Sequence, residues 1–385
     1  MSHQPTPQQP IDGPEAFPIL DALGFFNHAG VAPISGRAAE TLHAYARHAA
    51  SRAYVAGGWH KRIAEIRGRV AQLINARSHR EIAFMPNTSA GLAQVANGLA
   101  WHAGDEVVIT NVEYPANRYP WVNLARRHGV RVVEIAQQPD GRIELDDVIE
   151  AVTDRTRVVA LSHVQYASGH RIALKPLADT VHQVGGYLCV DGIQSVGTMP
   201  VDVQTDDIDF LAADGHKWML GPEGAGFLYC REDLVELMEP NVVGWMNMVD
   251  ALDFGNYRFE LLPDARRFEP GSFNVPGLLA MGASVDLLLE VGLDTVWQRI
   301  EALTTHLCDA LEAKGYPVFS PRRDARERSG IVVFDVPAAK GEPDAIAADL
   351  ARRDIIVAVR NGRLRASPHY YNTCEQLDRL VAALP

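Results

Sequence analysis

The sequence predicts an α/β fold, a mainly parallel sheet sandwiched by helices with a smaller C-terminal α/β domain, and three observations carry that prediction. From about Ala90 to Cys230, short β-rich runs alternate with amphipathic segments, the pattern of a doubly wound sheet. After Pro276 the pattern changes to two long amphipathic stretches and then a strand-helix-strand tail. The 385 residues are 47% hydrophobic and 22% charged, enough apolar material for two cores and too much for a disordered or fibrous chain.

Met1–Pro10 is polar, rich in Gln and Pro, and lacks the charged start and apolar run of a secretory signal, so it reads as a flexible lead-in. Residues 1–20 are expected to form an N-terminal segment packing with the small domain, 21–292 the large domain and 293–385 the small one, joined near Gly292. Ile82–Met85 is strand-like and is followed by β-rich runs at Glu106–Thr110, Val130–Ile135, Arg157–Val164, Tyr187–Asp191, Asp209–Ala213 and Gly226–Cys230. Between them, apolar residues spaced by three or four predict helices at Ala90–Leu99, Trp121–His128, Leu145–Ala151 and Leu174–Val184. Helices over Leu278–Glu290 and Leu293–Lys314 lead to a strand at Gly330–Val336, a helix near Asp344–Arg353 and a strand at Ile355–Val359. Arg322–Arg328, with six charges in seven residues, reads as a solvated loop.

A formal net charge of -12 without a local Lys/Arg stripe argues against nucleic acid as a partner. The four cysteines, Cys189, Cys230, Cys308 and Cys374, are far apart and form no CxxC or metal-type spacing, which disfavours a disulfide framework or a zinc site and fits a reducing compartment. No stretch approaches the roughly 20 apolar residues that cross a bilayer, so no membrane role is expected and the protein is placed in the cytoplasm.

In an open parallel sheet, loops at the carboxyl ends of the strands converge polar groups on a ligand. Tyr187–Val190 runs into Asp191, with Gly192 and Gln194 beyond it, and Asp209–Ala213 runs into Asp214, Gly215, His216 and Lys217. Two neighbouring strand ends thus present a carboxylate and an amine. A lone lysine is ordinarily a surface residue. Lys217, however, follows a fully apolar strand, is flanked by His216 and Trp218, and precedes the turn Gly221–Gly224, so it reads as employed in chemistry that needs a neutral amine. Asp191 alone also reads as a helix N-cap. Facing a pyridine nitrogen, it would keep that ring protonated as an electron sink.

Val190–Gln194 and Asp214–Trp218, followed by Gly221–Gly226, resemble the class V aminotransferase family of fold type I pyridoxal-5′-phosphate enzymes, and the likeness extends over nearly the whole chain after residue 20. That family includes cysteine desulfurases, selenocysteine lyases, kynureninases and isopenicillin N epimerase. The resemblance implies a seven-stranded sheet, pyridoxal 5′-phosphate as cofactor, Lys217 as its Schiff-base lysine, Asp191 as partner of the pyridine nitrogen and Gln194 as partner of the phenolic oxygen. It implies further that Thr88 and Ser89, in the string Asn87–Gly91, grip the phosphate at a helix N-terminus, although the string alone is an ordinary capped helix start. Tyr114 is expected to stack on the ring and His216 to touch the phosphate. Asp214 stands where many relatives carry Ser and is expected to point elsewhere or bond a water, because its charge would repel a phosphate.

Arg266–Asn274 resembles a family segment that crosses a dimer interface, which implies a symmetric homodimer in which Ser272 reaches the partner's phosphate. Arg363–Thr373 resembles the stretch whose arginine clamps the substrate α-carboxylate, and Arg365 matches it, while Arg360 and Arg363 read as solvated surface residues. Asn27–Gly30 resembles a substrate-side loop, with His28 lining the pocket. Ser162–Tyr166 resembles a strand-end motif that puts His163 beside the ring as a catalytic residue. Arg118 reads as a contact for a second acidic group on the substrate, or as a surface arginine.

These residues imply a small-molecule α-amino acid as substrate. Cysteine desulfurases need an additional cysteine on a mobile loop shortly before the carboxylate-binding arginine. Here the chain passes from Val359–Gly362 to Arg365 without one, and Cys374 lies beyond. The expected activity is therefore β-elimination at a Cβ–S bond, of the cysteine or selenocysteine lyase kind, without a persulfide cysteine. An aminotransferase or an amino-acid epimerase on the same scaffold are the alternatives. A non-catalytic binding descendant is disfavoured by the joint retention of Lys217, Asp191, Gln194 and Arg365.

Overall fold

A computed structural model of the chain describes residues 13, 15–255 and 257–385, and the lead-in Met1–Pro10 lies outside them. Strand β1 (Gly24–Phe25) and helices α1 (Gly36–Arg52) and α2 (Trp59–Leu73) precede the main sheet. Its strands are β2 (Ile82–Met85), β3 (Glu106–Thr110), β4 (Arg131–Ile135), β5 (Thr156–Ser162), β6 (Tyr187–Asp191), β7 (Phe210–Asp214) and β8 (Gly226–Cys230). They form one seven-stranded sheet in the order β2-β8-β7-β6-β5-β3-β4. Only β8 runs antiparallel to its neighbours; the remaining pairs are parallel, and α3 (Thr88–Gly98), α4 (Tyr119–His128), α5 (Leu145–Glu150) and α6 (Lys175–Gln183) lie between strands in the chain.

The central strands are apolar on both faces, as a sheet covered on both sides requires. Val159, Leu161, Leu188, Val190, Leu211 and Ala213 face one core with Ile63 and Ile66 of α2, Leu177 and Val181 of α6, and the later helix α7 (Val275–Val291). The alternate residues Val158, Ala160, Cys189, Phe210 and Ala212 face a second core with Leu92 and Val95 of α3 and Trp121 and Leu124 of α4. The period of two along each strand thus sorts one sequence into two hydrophobic layers.

Helix α7 gives way at Gly292, with φ of 83°, to α8 (Leu293–Ala313), the two axes bent by 83°. Val296 and Ile300 of α8 belong to the core of the main sheet, whereas Leu303, Leu307 and Leu311 belong to a third core. That core is closed by β9 (Val332–Phe334), α9 (Pro343–Ala351), β10 (Ile355–Ile356), β12 (Arg363–Ala366) and α10 (Cys374–Ala383). Phe17, from the N-terminal segment, stacks on Tyr371 with ring centroids 3.9 Å apart. Among the described residues no single helix is long and apolar enough to cross a membrane.

The expected strand Ile355–Val359 is corrected to two strands in different sheets. β10 pairs in parallel with β1, and β11 (Ala358–Arg360) pairs with β12 through the two-residue turn Asn361–Gly362. Both turn residues have positive φ, 49° and 74°, which suits Asn and Gly and gives the tight hairpin turn that matches strand twist.

Helix α3 is pressed against the strand that leads to Lys217. A Cβ on Gly91 would lie 2.8 Å from the Cβ of Ala212 in β7, so only glycine permits this approach. Gly91→Val is expected to destabilise the fold by about 2 kcal/mol, an overpacking cost read from a urea titration. An unchanged midpoint would mean that α3 moves off β7 freely.

Candidate active site

The carboxyl edge of β6 and β7 opens into a cavity of about 510 Å³ whose walls include Asp191, Gln194, Asp214, His216 and Lys217. Asp191 is the last residue of β6 and Lys217 lies three residues beyond β7, so the parallel pairing of these strands brings the acid and the amine to one place. Lys217 is buried, and its Nζ stands 5.5 Å from the centroid of the Tyr114 ring. Burial is the main reason its pKa falls to about 8; the nearby Asp191 carboxylate opposes the shift. Burial likewise raises Asp191 to about 6, opposed by the backbone N–H of Ile193, which donates to Oδ1 at 3.0 Å. At neutral pH the cavity therefore holds an ionised carboxylate and an amine with an accessible neutral form.

The N-terminus of α3 forms another wall. Asn87 caps the helix by accepting from Ala90 N, and Thr88 and Ser89 line the cavity. Arg365, almost fully buried, donates from Nη1 to the Tyr166 carbonyl at 2.9 Å and from Nη2 to Asn27 Oδ1 at 3.3 Å. Burial first, and the charge of Arg360 second, pull its pKa down to about 9, which leaves it a cation at neutral pH.

Gln194 is held from both ends. Its Oε1 accepts from Trp218 Nε1 at 2.8 Å and its Nε2 donates to Ala29 O at 3.1 Å, leaving one N–H for a ligand. Tyr114 lines the cavity edge-to-face with Tyr166, centroids 5.2 Å apart. The turn carrying Tyr114 is locked by buried Glu113, which accepts from Thr110 Oγ1, Asn117 Nδ2, Gln165 Nε2 and both Ser162 N and Oγ at 2.6 to 3.0 Å.

Five expectations need correction. His28 does not line the cavity: its ring is fully buried, Nδ1 donating to the Ser367 carbonyl at 2.8 Å and Nε2 accepting from the Tyr371 hydroxyl at 2.5 Å. Asn27, its neighbour, faces the cavity instead, because successive residues of an extended segment point to opposite sides. His163 is buried outside the cavity wall, and burial lowers its pKa to about 3, so it is neutral and exchanges no proton near pH 7. Arg118 also lies outside the wall, in a bidentate pair with Glu134 at 2.7 and 2.9 Å. Asp214 does not point away: it lines the cavity with one carboxylate oxygen 2.9 Å from His216 Nδ1. Arg360, taken for a surface residue, lines the cavity too.

Ser272 does not line this cavity. It is exposed beside a second hollow of about 300 Å³, on a segment anchored by Glu269, which is buried and accepts from Arg67 and from Phe84 N.

The residues present fit pyridoxal 5′-phosphate, and the deciding observation is Thr88 Oγ1, a buried hydroxyl oxygen at the helix N-terminus with no hydrogen-bond partner in the protein. A buried polar atom of this kind calls for a ligand, and a helix N-terminus favours an anionic one.

The family model for class-V aminotransferases matches residues 32–380. The chain belongs to this family. Among curated proteins, the chain is 33% identical over 345 residues to a probable cysteine desulfurase of Methanothermobacter thermautotrophicus, an alignment that spans 84% of this chain and 83% of that one. Among solved structures it resembles the apo cysteine desulfurase of Thermococcus onnurineus NA1, with a TM-score of 0.87 and 27% identity over 97% of both chains. It also resembles the cystine C–S lyase C-DES in complex with its reaction product cysteine persulfide, with a TM-score of 0.87 and 25% identity over 96% of this chain and 98% of that one.

Two outcomes test the geometry of this site. Thr88→Val is expected to raise the Kd for pyridoxal 5′-phosphate about ten- to a hundredfold in a fluorescence titration, the range for losing a hydrogen bond to a charged group. An unchanged Kd would remove Thr88 from the phosphate site. The lowered pKa of Lys217 means that the unfolded chain binds more protons between pH 8 and the usual lysine value of 10.5. Stability of the cofactor-free protein should therefore rise with pH through that window, with about 3 kcal/mol from Lys217, and Lys217→Met should remove that part in denaturant titrations while the rise above pH 9 from Arg365 remains.

Proposed function

We propose that this protein is a pyridoxal-5′-phosphate-dependent lyase that cleaves the Cβ–S bond of a cysteine-derived amino acid without passing sulfur to a protein thiol. One observation carries the reading: Lys217, Asp191, Gln194, Thr88, Ser89 and Arg365 surround one cavity that has no cysteine in its wall. Cys189, Cys230 and Cys308 are buried in hydrophobic cores, Cys374 starts α10, and burial raises the pKa of all four thiols. The segment before Arg365 that would have to carry a sulfur-accepting cysteine is the tight turn Asn361–Gly362 between β11 and β12. Relatives named cysteine desulfurases and a cystine C–S lyase support chemistry at a C–S bond.

In this reading Lys217 holds the cofactor's carbonyl carbon, Asp191 its pyridine nitrogen, Gln194 its phenolic oxygen, and Thr88, Ser89 and the amides of α3 its phosphate. Bound there, the cofactor supplies an electron sink that weakens bonds at the substrate Cα. Arg365 clamps the α-carboxylate, and a guanidinium fixed by Tyr166 O and Asn27 Oδ1 sets the orientation of Cα toward Lys217. The Nζ of Lys217, with its lowered pKa, would take the α-proton and deliver it to the departing sulfur, which leaves protonated as the Cβ–S bond breaks. Tyr114 covers the amine and limits its access to water.

The same reading makes the protein a homodimer in which the exposed loop with Ser272 completes the partner's phosphate site. Its support is that this loop is rigidly held by the buried Arg67–Glu269 pair while its tip faces outward.

Ammonia and pyruvate are expected from cysteine conjugates without any added keto acid, and Lys217→Ala should abolish multiple turnover. A strict dependence on a keto-acid acceptor would instead establish amino transfer. Alkylating the native protein with iodoacetamide and desalting it should leave turnover unchanged, because no thiol takes part. Inactivation by alkylation that Cys374→Ala prevents would overturn the thiol-free route. Light scattering should give about twice the monomer mass of 42.2 kDa.

A further inference from the structure

Trp218 follows Lys217 in the chain but takes a different place. Lys217 lines the cavity, whereas Trp218 is fully buried in the core of the main sheet with Ile300 of α8 and Ile331. Its backbone carbonyl accepts from His369 Nε2 at 3.1 Å, and a Cβ on Gly197 would lie 2.5 Å from the same oxygen, so the backbone is confined from two sides. The ring is confined as well. His28 stacks on it with centroids 6.0 Å apart, and its outer edge meets Gly330, where a Cβ would come to 2.6 Å from Cη2 and 3.1 Å from Cζ3.

This placement decides how the amide of Gln194 stands. An indole N–H only donates and a peptide carbonyl only accepts. Trp218 Nε1, at 2.8 Å, therefore fixes which end of the amide is oxygen, and Ala29 O, at 3.1 Å, fixes which end is nitrogen. What Gln194 offers the cavity is an N–H. The bond to Ala29 alone would let the amide turn about the line from Nε2 to that oxygen, and the bond from the indole sets its plane. Gly330 stands shortly before β9, β9 pairs with β12, and Val333 of β9 lies opposite Arg365 of β12. The indole thus lies between the amide of Gln194 and the sheet that carries Arg365.

We propose that Trp218 is a positioning residue: its indole sets the direction in which Gln194 donates to the cofactor's phenolic oxygen, and the sheet that carries Arg365 sets the indole through Gly330. The proposal rests on the assignment of Gln194 to that oxygen in the function proposed above. An N–H donated to the oxygen favours its ionised form. A weaker or misdirected bond leaves the oxygen more basic, so the proton it shares with the Lys217 nitrogen is retained to higher pH.

The test titrates the visible absorbance of the cofactor-loaded protein with pH. Trp218→Phe keeps a ring in the slot and removes the N–H, and it should raise the midpoint by about one unit, the size of a lost hydrogen bond to a charged group. Gly330→Ala keeps the indole and pushes on its outer edge, so it should raise the midpoint by a smaller amount. Because Phe lacks that outer edge, Gly330→Ala should add nothing to Trp218→Phe. An unchanged midpoint in Trp218→Phe overturns the proposal. So does a Gly330→Ala shift as large with Phe at position 218 as with Trp, since the effect would then bypass the indole. Where Trp218→Phe does not fold, Gly330→Ala decides alone, a raised midpoint supporting the link and an unchanged one overturning it. Gln194→Leu separates the two claims. An unchanged midpoint there removes Gln194 from the phenolic oxygen and the proposal with it, whereas a rise there without one in Trp218→Phe removes only the role of Trp218.

Discussion

Lys217 and Asp191 are buried at one edge of one sheet, and among the described residues neither is neutralised in an ion pair. Water would solvate both groups better than this cavity does, and the opposed shifts in their pKa record that cost. The surrounding structure is built to hold them there. Two adjacent parallel strands, apolar on both faces and covered by helices on both sides, end at the same level and cannot slide relative to one another without exposing one of the cores. In the proposed reading, a ligand with a positive ring nitrogen and an electrophilic carbon relieves both groups at once.

Around that pair the protein spends buried carboxylates on position. Glu113 gathers donors from β3, the following turn and the end of β5, and so fixes where Tyr114 and the strand end before Tyr166 stand. Glu269 ties α2 and β2 to the outward loop of Ser272 through Arg67 and Phe84 N. Removing one partner from such a cluster leaves a buried charge unmet and costs several kcal/mol, whereas the exposed ion pairs of α1 and α9 contribute little.

The sheet was legible because buried strands write themselves as short apolar runs, and the helices because their apolar residues recur at three or four. Ends shifted by one or two residues where caps decided them: α3 begins at Thr88 because Asn87 accepts from Ala90 N, an interaction invisible to hydrophobic periodicity. Ile355–Val359 read as one strand because its apolar run is unbroken, yet β10 and β11 join different partners. Pairing between distant segments divides it, and Gly24 and Phe25, more than three hundred residues away in sequence, supply one of those partners.

By itself the sequence determined the chemistry that depends on residue type at a strand end: an amine, a carboxylate, a helix start rich in hydroxyls and an arginine near the C-terminus. Tertiary structure alone decided which of several equivalent residues face the cavity. Asn27 or His28, Arg360 or Arg118, and the position of His163 were matters of side-chain direction and of which counter-ion lay nearby. Such choices are set by contacts between segments far apart in the chain, where a one-residue change of phase turns a side chain from cavity to core.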